Sequence, residues 1–392
     1  MFEIIEKTKN ILKFVYKDDE YNVDYKEGDD AIYVRLNDDM GLKIINPSDR
    51  YQSQSDTLET LKLFKEREYD FFPKIFDITM VGEIILLEVE HISQTTTPTF
   101  KQDWLTADDK KYLSEYFVST DLKTLTDISY KILREGLLPE DEWHKQGRNI
   151  IGDKIVDFHR FVYFTDRYRI PTDTDSDTIN QVYKDAVKRY ADMGINKWKG
   201  KIYEGFRFNT GDEMIGYSSD HREYDSYRKL NFFPMNKCSG GKVLDIGCNE
   251  GFLSTQSALH CAESVYGFDI TAQDIELAND IKNKITKLDN VSYGVGDAVK
   301  FMSENTEQFD VVILSSVLHQ IYPHMKGAES FLENISKNTK YMAYETPVKH
   351  PLMKLSLREI EHTLRKYFNH CRLGYVYNAY SSGYRAVFVC HN

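Results

Sequence analysis

The chain has 392 residues and a formal net charge of −12, with 41% hydrophobic and 29% charged residues. That length exceeds one ordinary core and predicts two domains with a connector. The acidic balance disfavours a broad phosphate-tracking surface, and no apolar run reaches the roughly 18 residues of a membrane span. In chain order, strand-like runs come first: "NILKFVYK", "AIYVRL" and "GLKIIN". A helix follows in "DTLETLKLFKERE", then strands in "KIFDITM" and "EIILLEVEHI". Helical spacing returns around "DDKKYLSEYFV" and "DLKTLTDISYKILREG", before two short strand-like pieces, "NIIG" and "KIVDF".

"PTDTDSDT" (171–178) is acidic and hydroxyl-rich and starts with proline, so it reads as a loop ending in a helix N-cap. The helix is "INQVYKDAVKRYADMG". After it, residues 197–230 are rich in aromatics and charges with weak periodicity, and are expected to lie across the mouth of the following sheet. From Lys242, strand and helix signals alternate: "KVLDIG", "GFLSTQSALHCA", "SVYGFDI", "AQDIELANDIKNKI", "VSYGVGD", "FDVVILSSV", "TKYMAYETP" and "LREIEHTLRKYF". "LGYVYNAY" and "YRAVFVCHN" close the chain as a hairpin. Such alternation predicts an α/β fold with a mainly parallel sheet, helices on both faces and a C-terminal antiparallel hairpin. The predicted domains are 1–170, a connector 171–235, and 236–392.

The five cysteines, Cys238, Cys248, Cys261, Cys371 and Cys390, show no CxxC spacing. They read as reduced, mostly buried thiols of a cytoplasmic protein. The first ten residues show no signal-peptide h-region.

The loop "VLDIGCNEG" ends a strand and opens a helix, a place where open parallel sheets bind ligands. Glycine lets the backbone approach a ligand, and the helix N-terminus favours negative charge. A dinucleotide site expects G-x-G-x-x-G. Here the spacing is D-x-G-x-N-x-G, through Asp245, Gly247, Asn249 and Gly251. That resembles motif I of class I methyltransferases that use S-adenosylmethionine (SAM), with Asn249 in place of the usual middle glycine. The resemblance implies a Rossmann-like methyltransferase domain and a loop under the methionine moiety of SAM. Asp269 closes the second strand and can accept from ribose hydroxyls. Asp297 follows the third strand and, by the resemblance, faces the adenine amino group. The fourth strand with Ser315 resembles motif IV, and Ser315 is assigned to the cofactor.

His319 follows that strand as a candidate base, and Glu345 at the end of the fifth strand is expected to face the same cleft. Structural roles are the alternative for both. Tyr217, Asp220, Arg222, Tyr224 and Arg228 are expected either to close over SAM and the acceptor or to lie in solvated loops. Arg222, Arg228 and Arg385 are candidates to hold a phosphate. "SSVL" stands where amino-directed base methyltransferases carry a Pro-Pro-aromatic motif, which disfavours a nucleic-acid acceptor.

The N-terminal half resembles the protein-kinase fold, especially small atypical sugar and aminoglycoside kinases. Lys43 lies in a strand, Glu59 in the next helix, and Asn149 precedes Asp157-Phe158-His159. The resemblance implies an α+β domain in which Lys43 and Glu59 serve ATP, and Asn149 and Asp157 bind Mg2+. The resemblance places the catalytic Asp five residues before Asn149; that position holds His144, with Asp141 and Glu142 near as substitutes if the loop carries an insertion, and no glycine-rich loop is legible.

The resulting expectation is a SAM-dependent methyltransferase that O-methylates a sugar, phosphosugar or other small acceptor. Its kinase-like domain would phosphorylate the acceptor first. Partners expected are a small-molecule or glycan acceptor and either a second copy of the chain or a glycan-assembly protein. The alternatives are a pseudokinase-type scaffold with a SAM-binding domain and a tRNA-directed methyltransferase.

Overall fold

The computed structural model describes residues 2–8, 11–27, 31–46, 54–93, 107–116, 128, 131–132, 135, 137–139, 150–151, 153–156, 158, 161–163, 170–193, 202–217, 226–227, 229–230, 233–322, 325–348, 355–378 and 384–392. The N-terminal half begins with β1 (Phe2–Lys7), β2 (Ile11–Tyr16), β3 (Asp19–Glu27), β4 (Ala31–Arg35) and β5 (Met40–Ile45). Helix α1 (Gln54–Arg67) leaves β5, and β6 (Ile75–Val81) and β7 (Ile84–Glu90) return to the sheet. The seven strands run in the order β1-β2-β3-β4-β5-β7-β6, antiparallel throughout.

Side chains alternate between the two faces of such a sheet. Leu12, Phe14, Tyr16, Val34, Leu42, Ile44 and Leu86 form one buried cluster. Ile45, Ile85, Leu87 and Val89 belong to a second, larger one. Strands β1 and β3 are absent from the sequence reading. The outer residues of β1 are exposed, and β3 reads DEYNVDYKE, so neither carries an apolar run.

Helix α2 (Ala107–Tyr116) bears out the first of the two helical expectations. Most of "DLKTLTDISYKILREG" lies outside the described residues. Short strands β8 (Leu137–Pro139), β9 (Ile150–Ile151), β10 (Lys154–Ile155) and β11 (Phe161–Tyr163) follow, pairing as β8 with β11 and β9 with β10.

The connector is more structured than its weak periodicity suggests. β12 (Ile170–Pro171), β13 (Phe206–Asn209) and β14 (Met214–Tyr217) make a small sheet, and α3 (Ser176–Asp192) precedes the hairpin. The expected N-cap is Asp175, whose carboxylate accepts from the Thr178 backbone N–H at 2.8 Å.

The C-terminal half carries β15 (Lys242–Ile246), α4 (Phe252–Leu259), β16 (Ser264–Asp269), α5 (Ala272–Asp280), β17 (Val291–Val295), α6 (Ala298–Glu304) and β18 (Phe309–Ser315). It continues with α7 (Leu318–Ile321), α8 (Glu329–Lys337), β19 (Thr339–Pro347), α9 (Leu357–Leu364), β20 (His370–Asn378) and β21 (Tyr384–His391). Strand order is β17-β16-β15-β18-β19-β21-β20. The first five are parallel and β21 runs against both neighbours. The predicted parallel sheet and closing hairpin are both present; α6 and α8 are crossover helices that the sequence reading leaves unassigned.

Two seams join other parts of the chain to this sheet. On α3, Tyr190 donates to Asp274 at 2.8 Å and Arg189 pairs with Asp280 at 2.9 Å. On α2, the Asp109 carboxylate accepts from the Leu357 backbone N–H at 2.9 Å, and the Tyr112 hydroxyl bonds Glu361. Asp109 thus takes an orphan donor at the start of α9.

Candidate functional site

A cleft of about 650 Å³ opens at the carboxyl ends of β15, β16 and β18. Strand order reverses between β16 and β18 on either side of β15, the switch point where open sheets bind ligands. The loop after β15 forms the floor. Gly247 has φ +70°, and a Cβ there would lie 2.2 Å from a Val317 methyl. Glycine therefore allows both the turn and the close approach of the motif-IV segment. Gly247 and Cys248 donate backbone N–H bonds to Phe268 O at 2.8 and 3.0 Å, tying the loop to the end of β16.

Asp245, Gly247, Asn249, Asp269, Asp297 and Ser315, all expected at the cofactor, line this one cleft. Asp269 accepts from Asn249 N at 3.1 Å and from Thr271 N at 2.9 Å. A carboxylate has about four acceptor positions, so roughly two remain for a ligand diol. Asp297 caps α6 through Lys300 N at 2.8 Å. Asp245 is 1% exposed and accepts from Ser254 Oγ at 2.6 Å. Burial raises its carboxyl to about 6 against the pull of Ser254 and Lys229. Gly251 departs from the expectation: it is not among the lining residues. Gly251 has φ +84°, and a Cβ there would meet the Tyr293 hydroxyl at 2.6 Å, so its glycine serves the turn into α4 and the packing beneath it.

The two expected catalytic residues of this half lie behind the wall. His319 is buried on α7 and does not line the cleft. Glu345 is fully buried behind Ser315 and Ser316, cleft-lining residues that donate to it at 2.6 and 3.0 Å. Arg385 bonds the same carboxylate at 3.1 Å and also Ser316, and Lys229 lies 3.7 Å away. Burial works to raise Glu345, but Lys229, Arg385 and the two serines outweigh it and hold the group at about 2. An acid so ionised and so fully engaged organises the ends of β18 and β19. Arg385, considered for a phosphate, spends its guanidinium on this cluster. Tyr217 points elsewhere as well: its ring stacks on Tyr183 with centroids 3.8 Å apart, and its hydroxyl bonds Asn180.

The connector supplies side chains that the sequence reading missed. Tyr190, Tyr203, Glu204 and Lys229 line the cleft, as expected of a segment crossing its mouth. Glu250, 2% exposed, accepts from Tyr203 N at 2.9 Å and Glu204 N at 2.8 Å. Glu204 answers by accepting from Phe252 N, at the start of α4, at 3.0 Å. This reciprocal clamp fixes the strap 203–204 against the loop. Burial raises Glu204 to about 7 despite Lys229, 3.9 Å away, and pushes Glu250 well above its ordinary value. Glu250 stands in the loop motif itself, but only its tertiary partners reveal a buried clamp.

In the N-terminal half, Lys43 sits on β5 at 5% exposure. Its ammonium donates to Val156 O at 3.5 Å and lies 6.0 Å from the Phe158 ring centre, so it reaches the residues flanking Asp157. Glu59 is exposed on α1 and, among the described residues, makes no ion pair with Lys43. Asp141, Glu142, His144, Asn149, Asp157, Asp220, Arg222, Tyr224 and Arg228 lie outside the described residues. Among the described residues no helix is long and apolar enough to cross a membrane, and no acid, His and Cys cluster is arranged to hold a metal.

Residues 237–377 match a family described as a methyltransferase domain. Together with the sheet order and the cleft, this assigns a Rossmann-like methyltransferase domain to the C-terminal region. Among curated proteins, the chain is 34% identical over 104 residues to the rat mitochondrial ubiquinone biosynthesis O-methyltransferase, covering 26% of this chain and 29% of that one. It is 24% identical over 127 residues to the ribosomal protein L11 methyltransferase of Streptococcus agalactiae, 32% of this chain and 35% of that one. The chain therefore spans well under half the length of these relatives. Among solved structures, the bifunctional kinase-methyltransferase WbdD shares 22% identity at a TM-score of 0.34, over 43% of this chain and 37% of that one. The N-terminal domain of EvdMO1 with SAH and D-fucose shares 14% at 0.39, over 56% and 97%.

Proposed function

We propose that the protein transfers a methyl group from SAM to an oxygen of a small acceptor, a sugar or phosphosugar, and that its N-terminal half is a kinase-like domain acting on the same acceptor. The observation that carries the methyl-transfer reading is the single cleft in which the loop after β15, the free acceptor positions of Asp269, and Asp297 come together. The donor set fits SAM: a close backbone approach at Gly247, an acid for a diol, and a polar cap at the third strand. The rat relative's printed name, an O-methyltransferase, supports oxygen as the acceptor atom.

When bound, SAM supplies an electrophilic methyl on a sulfonium. The chain's own part is orientation and electrostatics. Asp269 holds the ribose diol, and the 203–204 strap walls the end of the cleft beside Glu204 and Lys229. The Glu345 cluster fixes Ser315 and Ser316 at the wall. Among the described residues no histidine lines the cleft. A sugar hydroxyl would therefore give its proton to an acid of the lining, Glu204 or Asp245, both raised toward neutrality, whereas a phosphate oxygen is already anionic and needs no base. For the N-terminal half, support comes from Lys43, buried mid-sheet and reaching the Asp157 segment, as a phosphate-holding lysine would.

Calorimetry with SAM tests the first reading. The wild type should bind, and Asp269→Ala should weaken binding about 100-fold, because two charged hydrogen bonds of roughly 1.5 kcal/mol each are lost. Folded wild-type protein that takes up no SAM ends the proposal. Mass spectrometry of a glycan pool incubated with SAM, with and without ATP, separates methyl gain alone from phosphate plus methyl.

A further inference from the structure

The inner face of the N-terminal sheet holds an arrangement that neither the methyl-transfer site nor the Lys43 reading uses. Tyr33 on β4 pairs directly with Lys43 on β5, so both side chains rise from the same face. Gly41 is two residues before Lys43, and Val89, its cross-strand partner on β7, is two residues before His91. All these positions share that face. The Tyr33 side chain does not stand up from the sheet. It lies diagonally across β5, and a Cβ on Gly41 would fall 2.2 Å from its hydroxyl oxygen and 2.5 Å from the ring. Gly41 is outside the left-handed region, so backbone conformation does not demand a glycine there; the passage of the ring does. At the far side the Tyr33 hydroxyl meets His91 Nδ1 at 2.7 Å, and the two rings stack at 6.2 Å and 18°. At the near side stand the Lys43 ammonium and the Phe158 ring.

The result is a slot floored by a bare glycine and filled by a planar ring, with a polar imidazole at one end and a buried cation at the other. Resting on the kinase-like reading, we infer that this slot receives the planar base of a nucleoside triphosphate whose phosphates meet Lys43, and that the ring of Tyr33 occupies the base position until the ligand displaces it. The slot has the chemistry of base recognition: a flat apolar floor, an edge partner in His91, and a counter-charge for phosphate. A side chain that fills a ligand's place lowers apparent affinity by the fraction of molecules in which it has moved away.

Calorimetry with ATP and Mg2+ on the full chain tests this. Tyr33→Ala should bind at least about tenfold more tightly than wild type, which corresponds to a ring out of place in about a tenth of molecules or fewer. Tyr33→Phe, which keeps the ring but loses the His91 bond, should fall between. Lys43→Ala in the Tyr33→Ala background should lose the gain. Unchanged SAM binding in each variant certifies the fold. A second readout needs no nucleotide: Gly41→Ala should lower the thermal midpoint in the wild type and much less in Tyr33→Ala, where the ring no longer crosses. Equal ATP affinity in wild type and Tyr33→Ala would overturn the occupancy by Tyr33 while leaving nucleotide binding intact. Absence of ATP binding in every variant would overturn the nucleotide reading and the slot with it.

Discussion

At the carboxyl ends of β15, β18 and β19 and in the strap beside them, the C-terminal domain buries four acids, Asp245, Glu204, Glu250 and Glu345, whereas the N-terminal sheet buries Lys43 on one face and Glu88 on the other. Glu88 has its own local partners, the Tyr16 hydroxyl at 2.9 Å and Lys17 at 2.6 Å. The four acids instead share their surroundings: two accept from backbone N–H groups of the strap and of α4, one holds two cations and two serines, and Asp245 accepts from Ser254 on α4 and feels the same Lys229. Buried charge survives only when paired and hydrogen-bonded. The difference teaches that the C-terminal cleft is a single interlocked unit, while the N-terminal sheet carries its charges as separate local solutions.

The sharpest way to break that contrast is Glu345→Gln. Removing the negative charge leaves Lys229 and Arg385 close together in a buried cluster, and the expected loss is about 3–5 kcal/mol in urea unfolding at pH 7. The pH dependence gives a second handle. The carboxyl falls from its ordinary 4.5 to about 2 in the fold, so its stabilisation is complete above the ordinary value and fades as pH drops toward about 2. Wild-type stability should therefore fall across that window through this group, and the variant should lack the corresponding part of the slope. A variant as stable as wild type at pH 7 would mean that the cluster is not interlocked.

These contacts were only partly legible in the sequence. The parallel strands β15, β18 and β19 announce themselves because burial on both faces demands continuous apolar runs such as "VVIL". The loop after β15 is legible because its glycine and acid spacing encodes local backbone needs. Glu250 and Glu204 are not, since an acid in a loop and an acid in an aromatic connector look solvated until Tyr203 and Glu204, 47 and 46 positions away, donate to the first and Phe252, 48 positions away, donates to the second. Strands β13 and β14 escape for a related reason: each is only four residues long, too short for alternation to register. The sequence marks Glu345 as a residue at a strand end, but its confinement depends on Arg385 arriving from the antiparallel β21.

A smaller effect of opposite sign is expected at Glu204. Burial raises its carboxyl from 4.5 to about 7, so the folded state holds the proton more tightly than the unfolded chain. Its contribution is neutral at low pH, turns unfavourable as pH rises above 4.5, and levels off above about 7. Glu204→Gln keeps an oxygen for the Phe252 N–H and removes the titration. Stability measured between these limits should lose that downward slope, a gain on the order of 3 kcal/mol above pH 7. If the slope persists unchanged, the strap is more hydrated than its clamp implies.

The weakest perturbation concerns how the two regions meet. Tyr112 on α2 bonds Glu361 on α9, and Arg358 lies 5.3 Å from the Tyr112 ring centre. Glu361 keeps Arg365 as a partner at 2.7 Å, so loss of the tyrosine hydroxyl does not orphan the carboxylate. Tyr112→Phe should therefore cost only about 1 kcal/mol. Its use lies in where the cost appears. If the seam couples the halves, unfolding followed by a probe in the N-terminal sheet and by one in the C-terminal sheet should shift together. A shift confined to one probe would mean that the N-terminal half rests on α9 without sharing its stability, and the contrast in buried charge would then describe two independently folding bodies.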